Sequence, residues 1–239
     1  MIHNRAASIV SEHCIAILVL ARSCSKRVSN KNYRPFVNDM SLVDLKIETL
    51  LSVFPHNNVF ISSDVIDLRC KNLRRSTDSI VNDKLPFTDV ITPLYNELKN
   101  KGFKHVLITY PTSPLFNEEM YKRVIYDYYV NVIFGDKDSA VTGFYNNGYF
   151  WLGDKEVNYE ATAYGHAYTQ NNEQLFNIDN AVYIKKLEFT PMHYMFNRES
   201  VHFIEIPKLF GLDVDSKEDF VIAKELYKAY EANAFEGVY

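Results

Sequence analysis

Ile15-Ala-Ile-Leu-Val-Leu20 is a continuous apolar run rich in β-branched residues, and a polar, cationic loop follows it directly. A run of this kind is typical of a central strand that is covered on both faces, as in a parallel sheet. It is too short to cross a membrane as a helix, which needs about 20 apolar residues. Arg22 also interrupts the small-residue site that signal-peptide cleavage would require. The run therefore predicts a buried first strand and a protein without a membrane partner.

Strand and helix patterns alternate after this run. Ser41 suits an N-cap for a helix at residues 42–54, in which Asp44, Lys46 and Glu48 lie off the apolar face. The other predicted elements are a strand at 59–63, a helix at 88–101, a strand at 104–110, a helix at 118–132, strands at 181–184 and 202–206, and a helix at 216–230. Because consecutive strands joined through a helix form parallel crossovers, we predict one α/β domain over residues 1–239 with an open, mostly parallel sheet.

The segment 140–180 interrupts the alternation. It is aromatic, carries the turn signal Asn146-Asn-Gly148, and has no clear periodicity between residues 156 and 176. We therefore expect it to form a small arm or lid inserted within the single domain.

The composition of the 239 residues, 47% hydrophobic and 23% charged, is that of an ordinary globular domain. The balance of 26 Lys and Arg against 30 Asp and Glu gives a net charge of −4, so the protein has no general electrostatic attraction for a nucleic-acid duplex. Cys14, Cys24 and Cys70 form no spaced motif, which argues against a disulfide framework or a zinc site. We expect a reducing, cytoplasmic location and no nucleic-acid partner.

The loop at residues 22–34 is the first candidate site. An open α/β sheet places its ligand crevice at the carboxyl ends of its strands, where this loop begins. Five cationic side chains lie in it: Arg22, Lys26, Arg27, Lys31 and Arg34. The loop matches neither GxxxxGK[ST] nor GxGxxG. Two interpretations remain at this point: a binding loop for a triphosphate, or a solvated basic surface.

A resemblance favours the binding loop. The stretch ILVLARSCSKRVSNKNYRPF, residues 17–36, resembles the opening of the CMP-sialate (acylneuraminate) synthetases and CMP-Kdo synthetases, whose signature is similar to xxARxxSKxxxxKNxRxx. Three later segments resemble the same family, in the same order: VFISSD at 59–64, PTSPL at 111–115 and the DxD segment LDVD at 212–215. The resemblance implies a Rossmann-like, nucleotide-diphospho-sugar-transferase-like sheet. It also implies a homodimer in which the 140–180 arm takes part.

The resemblance also implies a reaction and the residues that serve it. In this family an acceptor oxygen attacks the α-phosphate of CTP and pyrophosphate leaves, so catalysis is mainly positioning and charge neutralisation. Arg22, Ser25 and Lys26 would hold the triphosphate, Lys31 would support it and Asn32 would read the cytosine edge. Pro111 and Ser113 would shape the wall of the CTP pocket. The catalytic residues would be Arg22, Lys26 and Asp215.

Asp213 and Asp215 alternate along an extended segment, which is expected to place both carboxylates on one side of the chain. Such a pair suits Mg²⁺, which prefers carboxylate and phosphate oxygens. The alternative is two loop acids before a helix, with Asp219 near its positive end. Together with the matched loop, the pair predicts Mg²⁺ as cofactor.

Four departures from the family pattern concern the acceptor side. Tyr110 stands where Gln precedes PTSPL, Asn177 stands where the segment FRxNGAIY has its Arg, and Phe116 replaces an Arg after PTSPL. Pro86 lies near the position at which members of the family have a serine. We therefore expect a cytidylyltransferase for surface-glycan biosynthesis whose small acceptor is a variant sugar acid, a sugar-like compound, a phosphorylated compound or a phosphonate. The alternative is a non-catalytic nucleotide-binding or scaffolding homologue. A DxD glycosyltransferase is less favoured, because an SKxxxxKN loop does not normally open its site.

Overall fold

A computed structural model describes residues 5–25, 27–67, 69–74, 86–160, 168–188 and 195–237. Its strands are β1 (Ile15–Leu20), β2 (Pro35–Val37), β3 (Met40–Ser41), β4 (Val59–Ser63), β5 (Lys71–Arg74), β6 (His105–Thr109), β7 (Ser139–Asn146), β8 (Trp151–Leu152), β9 (Lys155–Glu156), β10 (Leu175–Lys186) and β11 (Val201–Glu205). Seven of them form one sheet in the order β11-β7-β10-β6-β1-β4-β5. Two small hairpins, β2-β3 and β8-β9, lie apart from it.

The predicted mostly parallel α/β sheet is confirmed. β1 pairs in parallel with β4 and with β6, β4 with β5, and β7 with β11, whereas β10 runs antiparallel to β6 and β7. Because β1, β4 and β6 run in the same direction, their carboxyl ends meet at one edge of the sheet. The loop after β1, Asp64 after β4 and the 111–115 turn after β6 all begin at that edge.

In the ranges that the structure describes, five α-helices accompany the sheet: α1 (Ala6–Glu12), α2 (Leu42–Val53), α3 (Phe87–Asn100), α4 (Glu118–Tyr128) and α5 (Lys217–Glu231). The predicted N-cap Ser41 is confirmed at α2, and Ser216 occupies the same position at α5. In both, the serine side chain accepts from the backbone N–H three residues on, and the aspartate there accepts from the serine N–H. These capping boxes satisfy backbone donors that the first helical turn leaves free.

Apolar side chains cover both faces of the sheet. In β1, Ile15, Ile17 and Val19 belong to the larger core, and Ala16, Leu18 and Leu20 belong to the core on the opposite face of the sheet. All six residues of β1 are buried, as expected for a central strand. A third cluster joins the loop after β1 to α2 and α5, and we call it the loop core: Val28, Phe36, Val37, Leu42, Leu45, Val214, Phe220 and Ala223.

Some boundaries differ from the prediction. Both ends of the 140–180 segment belong to the central sheet as β7 and β10, so only the residues between these strands, including the β8-β9 hairpin, can form an arm. Helix α1 and edge strand β5 were not predicted. A π-helical turn, Tyr129–Ile133, follows α4. Within the described ranges, no helix is long and apolar enough to span a membrane, and Cys14, Cys24 and Cys70 form no disulfide.

Candidate active site

Asp64, the residue after β4, anchors the start of the loop that follows β1. The Ser23 backbone N–H donates to Asp64 Oδ1 at 2.9 Å, and the Ser23 hydroxyl donates to Oδ2. Partial burial of Asp64 opposes ionisation, but these hydrogen bonds outweigh it and lower the pKa of the carboxyl below its ordinary value. The loop is therefore fixed to the carboxyl ends of two neighbouring strands.

Asn32 is buried in this loop and linked to its surroundings through side chain and backbone. Its Nδ2 donates to the Arg22 carbonyl at 3.0 Å, and its own carbonyl accepts from the Val43 N–H at 3.0 Å. In the described part of the chain, Asn32 Oδ1 has no hydrogen-bond partner. A buried acceptor without a partner is unfavourable, so this oxygen suits an N–H donor brought by a ligand.

Lys31 connects the loop to the DxD segment. Its ammonium is almost fully buried, donates to the Val214 carbonyl, and lies 3.4 Å from Asp215 Oδ1. Arg27 Nη2 lies 2.9 Å from the same Asp215 oxygen, on the exposed side. Two segments that are more than 180 residues apart in sequence are thus in direct contact.

The 111–115 turn lies on the other side of the DxD segment. The Val214 N–H donates to the Thr112 carbonyl at 2.8 Å, and the Asp213 carboxylate accepts hydrogen bonds from the side chains of Thr112 and Asn180. Burial and the nearby charge of Asp215 nevertheless raise the pKa of Asp213. Asp213 Oδ1 is buried and has no hydrogen-bond partner among the described residues.

Lys46 of α2 contacts the 111–115 turn. Its ammonium donates to the Ser113 carbonyl at 2.9 Å and to the Tyr121 hydroxyl at 2.8 Å. Burial lowers the pKa of Lys46 to about 7. The sequence interpretation of Lys46 as lying off the apolar face is wrong, because the side chain is 2% exposed and passes between α2 and the turn. The helical pattern alone contains no signal for this contact.

Asp179 is a further acidic residue of this edge that the sequence interpretation missed. Its Oδ1 accepts from Thr142 Oγ1 at 2.7 Å and from the Ala181 N–H at 2.8 Å, whereas Oδ2 has no hydrogen-bond partner in the ranges described. Burial raises the pKa of the carboxyl. One signal was available: Asp179 stands where the segment FRxNGAIY has Asn. Its neighbour Asn180 has a φ of 62°, a left-handed conformation that suits the glycine of that pattern.

The predicted nucleotide residues occupy one edge of the molecule. Arg22 and Ser25 are half-buried in the loop, while Pro111 and Ser113 are buried in the turn. Ser113 Oγ is another buried atom without a partner in the described structure. Lys26 lies outside the described residues, so its predicted role stays a prediction.

The acceptor-side departures fall in different environments. Asn177 is exposed on β10 and pairs with Phe144 of β7, over whose ring the Lys208 ammonium lies at 5.5 Å from the centroid. Tyr110 is half-buried. Phe116, by contrast, packs in the core against the Tyr121 ring, at 4.7 Å between centroids. Its replacement of an Arg therefore removes a charged side chain from this position.

No group of three His, Cys, Asp or Glu side chains within the described ranges is already arranged to hold a metal ion. Asp213 and Asp215 alone are therefore an incomplete ligand set. Mg²⁺ is commonly bound by one or two carboxylates and completed by substrate phosphates and water. The buried, unpartnered oxygen of Asp213 fits that role, since a hard oxygen ligand is what such an ion requires.

An open α/β sheet whose carboxyl edge joins a cationic loop to an acidic segment is the architecture of a nucleotide-binding transferase. A sequence model of the cytidylyltransferase family matches residues 16–235, and the chain therefore belongs to this family. Its members are nucleotidyltransferases. No curated protein matches the chain significantly.

Solved cytidylyltransferases share the fold at low sequence identity. A 4-diphosphocytidyl-2C-methyl-D-erythritol synthase from Anaerococcus prevotii DSM 20548 is 11% identical with a TM-score of 0.59, covering 92% of this chain and 99% of that one. A CMP:2-keto-3-deoxy-manno-octonic acid synthetase complexed with CTP is 12% identical with a TM-score of 0.56, covering 90% and 99%. A cytidylyltransferase from Leptospira borgpetersenii serovar Hardjo-bovis is 15% identical with a TM-score of 0.56, covering 92% and 95%.

Proposed function

We propose that this protein transfers CMP from CTP to a small acceptor and releases pyrophosphate. The observation that carries the proposal is the contact of Lys31 with Val214 and Asp215, which joins the cationic loop to the DxD segment at the carboxyl edge of the sheet. In a member of the cytidylyltransferase family, this edge is where CTP is expected to bind.

The loop supplies the triphosphate site. Arg22, Ser25, Lys26 and Lys31 offer cationic and hydroxyl donors that phosphate oxygens accept. Arg27 adds an exposed cation, which is free to exchange its ion pair with Asp215 for a phosphate. Since phosphoryl transfer depends mainly on in-line positioning and charge neutralisation, Arg22 and Lys26 act catalytically by orienting the α-phosphate and stabilising its developing negative charge. Asp215 acts catalytically by holding the proposed Mg²⁺ beside the triphosphate.

Asn32 gives the base specificity. Its Nδ2 is taken by the Arg22 carbonyl, which leaves Oδ1 to accept from the amino group of cytosine. Uracil carries a carbonyl oxygen at that position, and two acceptors facing each other would repel. Pro111 and Ser113 form the opposite wall of the pocket.

Mg²⁺ is the proposed cofactor. Asp213 and Asp215 would hold it beside the triphosphate. When bound, the ion supplies positive charge to the phosphate oxygens. Asp213 is suited because its Oδ1 is available, and Asp215 becomes available when Arg27 turns to the phosphates.

The acceptor is a small compound other than ordinary sialic acid: a variant sugar acid, a sugar-like compound, a phosphorylated compound or a phosphonate, used for surface glycans in the cytoplasm. The absence of an Arg at Asn177 removes a bidentate partner for a carboxylate acceptor. A homodimer is also proposed, because Tyr145, Tyr149, Trp151 and Leu152 expose large apolar surface around the β8-β9 hairpin.

Pyrophosphate release tests the function. Purified protein is incubated with each of the four nucleoside triphosphates, Mg²⁺ and a panel of candidate acceptors. We expect acceptor-dependent pyrophosphate with CTP alone, and release only with a purine nucleotide would contradict the proposal. If CTP stabilises the protein against heat but no acceptor across the panel yields pyrophosphate, the non-catalytic homologue is favoured instead.

A further inference from the structure

Two acidic side chains at the carboxyl edge have oxygen atoms that nothing in the described structure satisfies. They are Oδ2 of Asp179, a residue that is 4% exposed, and Oδ1 of Asp213. Among the described residues no Lys, Arg or His forms an ion pair with Asp179. Burying a carboxylate without a cation or a donor is costly, so an oxygen in this state indicates a ligand that is not part of the chain.

The fold brings these two carboxylates to the same place. Val182 of β10 lies opposite Thr109 of β6, so Asp179 and Asn180 extend beyond the end of β6 toward the turn that contains Thr112. Asn180 and Thr112 are the residues whose side chains hydrogen-bond Asp213. Asp213 is therefore in contact with Asn180, which is the residue next to Asp179 in the sequence.

Asp179 also lies close to Gly211, which precedes the DxD segment. A Cβ atom at Gly211 would lie 2.5 Å from Asp179 Oδ2, so only glycine allows the backbone to pass so near this oxygen. Gly211 precedes Asp213 by two residues. The Asp179 carboxylate is thus packed against the segment that carries the proposed cation ligands.

Asp215 differs from both of these residues. Its side chain is 46% exposed, and one oxygen already pairs with Arg27 and Lys31. Asp179 is 4% exposed and forms no ion pair with the residues that the structure describes. It is the neighbour of Asp213 that has a buried oxygen without a hydrogen-bond partner in those ranges.

We infer that Asp179 Oδ2 is a ligand of the same divalent cation as Asp213 Oδ1. This inference rests on the proposed function, because it assigns a further ligand to the proposed Mg²⁺ site. Two buried carboxylate oxygens from β10 and from the DxD segment hold the ion between them, and triphosphate oxygens and water complete its coordination. Thr142 and the Ala181 N–H orient Asp179 through its other oxygen, as partners of ligating carboxylates commonly do.

Mn²⁺ binding to the full chain without nucleotide tests the inference, with free Mn²⁺ measured by electron paramagnetic resonance. We expect Asp179→Asn and Asp213→Asn each to weaken binding about tenfold or more. Asp138→Asn is the matched control: Asp138 is paired with Lys186 at 3.4 Å, away from the edge, and its loss is expected to change binding less than twofold. Asp179→Asn retains an amide oxygen for Thr142 and Ala181, and its thermal unfolding midpoint reports whether it folds.

The wild-type chain allows a second measurement that needs no variant. Fe²⁺ replaces Mn²⁺, and peroxide with ascorbate then cleaves the backbone near the bound ion. We expect cuts near Asp179 as well as near Asp213. Cuts confined to residues 213–215, or unchanged Mn²⁺ binding by Asp179→Asn, would overturn the inference. The proposed function would still stand in that case if the protein released pyrophosphate from CTP. A wild-type chain that binds no Mn²⁺ would also overturn it, and thermal stabilisation by CTP would report separately on the nucleotide site.

Discussion

The proposed nucleotide side and the proposed acceptor side of this protein are built differently. On the nucleotide side, the loop after β1, the 111–115 turn and the DxD segment are joined by Lys31, Val214 and Lys46 in a closed set of contacts. On the acceptor side, Asn177 is exposed on β10, one of the two strands that flank the exposed aromatic hairpin, and Tyr110 is half-buried after β6. The comparison fits the proposal that CTP binding constrains the first side, while the second side is open to a different acceptor.

Arg22→Ala is the strongest test of the nucleotide side. Loss of a cation that neutralises transferring phosphate is expected to lower turnover about 10³-fold. The thermal unfolding midpoint is expected to change little, since Arg22 is only half-buried. Pyrophosphate release measures the first quantity and a thermal scan the second.

Arg123→Ala is the control for this variant, because Arg123 lies on the surface of α4 and pairs there with Asp127 at 3.8 Å. Its turnover is expected to stay at the wild-type value. If the turnover of Arg22→Ala stayed within threefold of wild type, the loop would not be part of the catalytic site.

Asn32→Ala tests base recognition on the same side. Removal of the buried amide is expected to reduce the preference for CTP over UTP about 10- to 100-fold, the scale of a lost base-edge contact. The ratio of kcat/KM for the two nucleotides is the measurement. A ratio that stays at the wild-type value would mean that another residue reads the base.

Asn177→Arg tests the acceptor side alone. A guanidinium on β10 would pair with an anionic acceptor, so we expect the acceptor KM to change about tenfold and the CTP KM to change less than twofold. Both constants come from the pyrophosphate assay once an acceptor is found. Equal changes in the two constants would show that the two sides are not separate.

Lys46→Met concerns stability, and its effect on turnover is expected to be the smallest of the four. The pKa of Lys46 is about 7 in the folded state and near 10.5 in the unfolded chain. Between these two pH values the unfolded chain binds one proton at Lys46 that the folded protein does not bind. The unfolding free energy of wild type, compared with Lys46→Met, should therefore rise by about 1 kcal/mol per pH unit from pH 7 to 9. Below pH 7 the difference should be flat.

Denaturant unfolding at several pH values measures this difference. Lys101→Met is the control, because Lys101 is exposed and pairs with Glu97 on the surface of α3. Its difference from wild type is expected to be independent of pH over the same range. A flat profile for Lys46→Met would mean that Lys46 remains charged when buried.

Much of the fold could be predicted because its signals are local. β1 and β4 have the predicted bounds, since continuous apolar runs mark buried parallel strands. The N-caps Ser41 and Ser216 were predictable because a capping box is complete within four residues. β5 was missed because Lys71 and Asn72 in it are exposed and its strand conformation depends on pairing with β4.

The candidate site was predictable where a motif carries it and not where tertiary contact creates it. The loop and the DxD segment could be placed together because both resemble known segments. Lys46 could not, because its burial depends on the 111–115 turn, which is far away in sequence. The position of Asp179 in the FRxNGAIY pattern was a signal, but its burial depends on the distant Gly211. The ends of the 140–180 segment were assigned to an arm because their aromatic residues obscure the strand pattern of β7 and β10.

The loop core has a consequence for biosynthesis. Val28 and Phe36, made early in translation, pack with Val214 and Phe220, which emerge from the ribosome nearly two hundred residues later. The cationic loop cannot reach its final position until α5 has left the exit tunnel. A nascent or prematurely terminated chain therefore lacks the finished loop that the proposed nucleotide site requires, and only a chain whose synthesis has passed α5 can complete it.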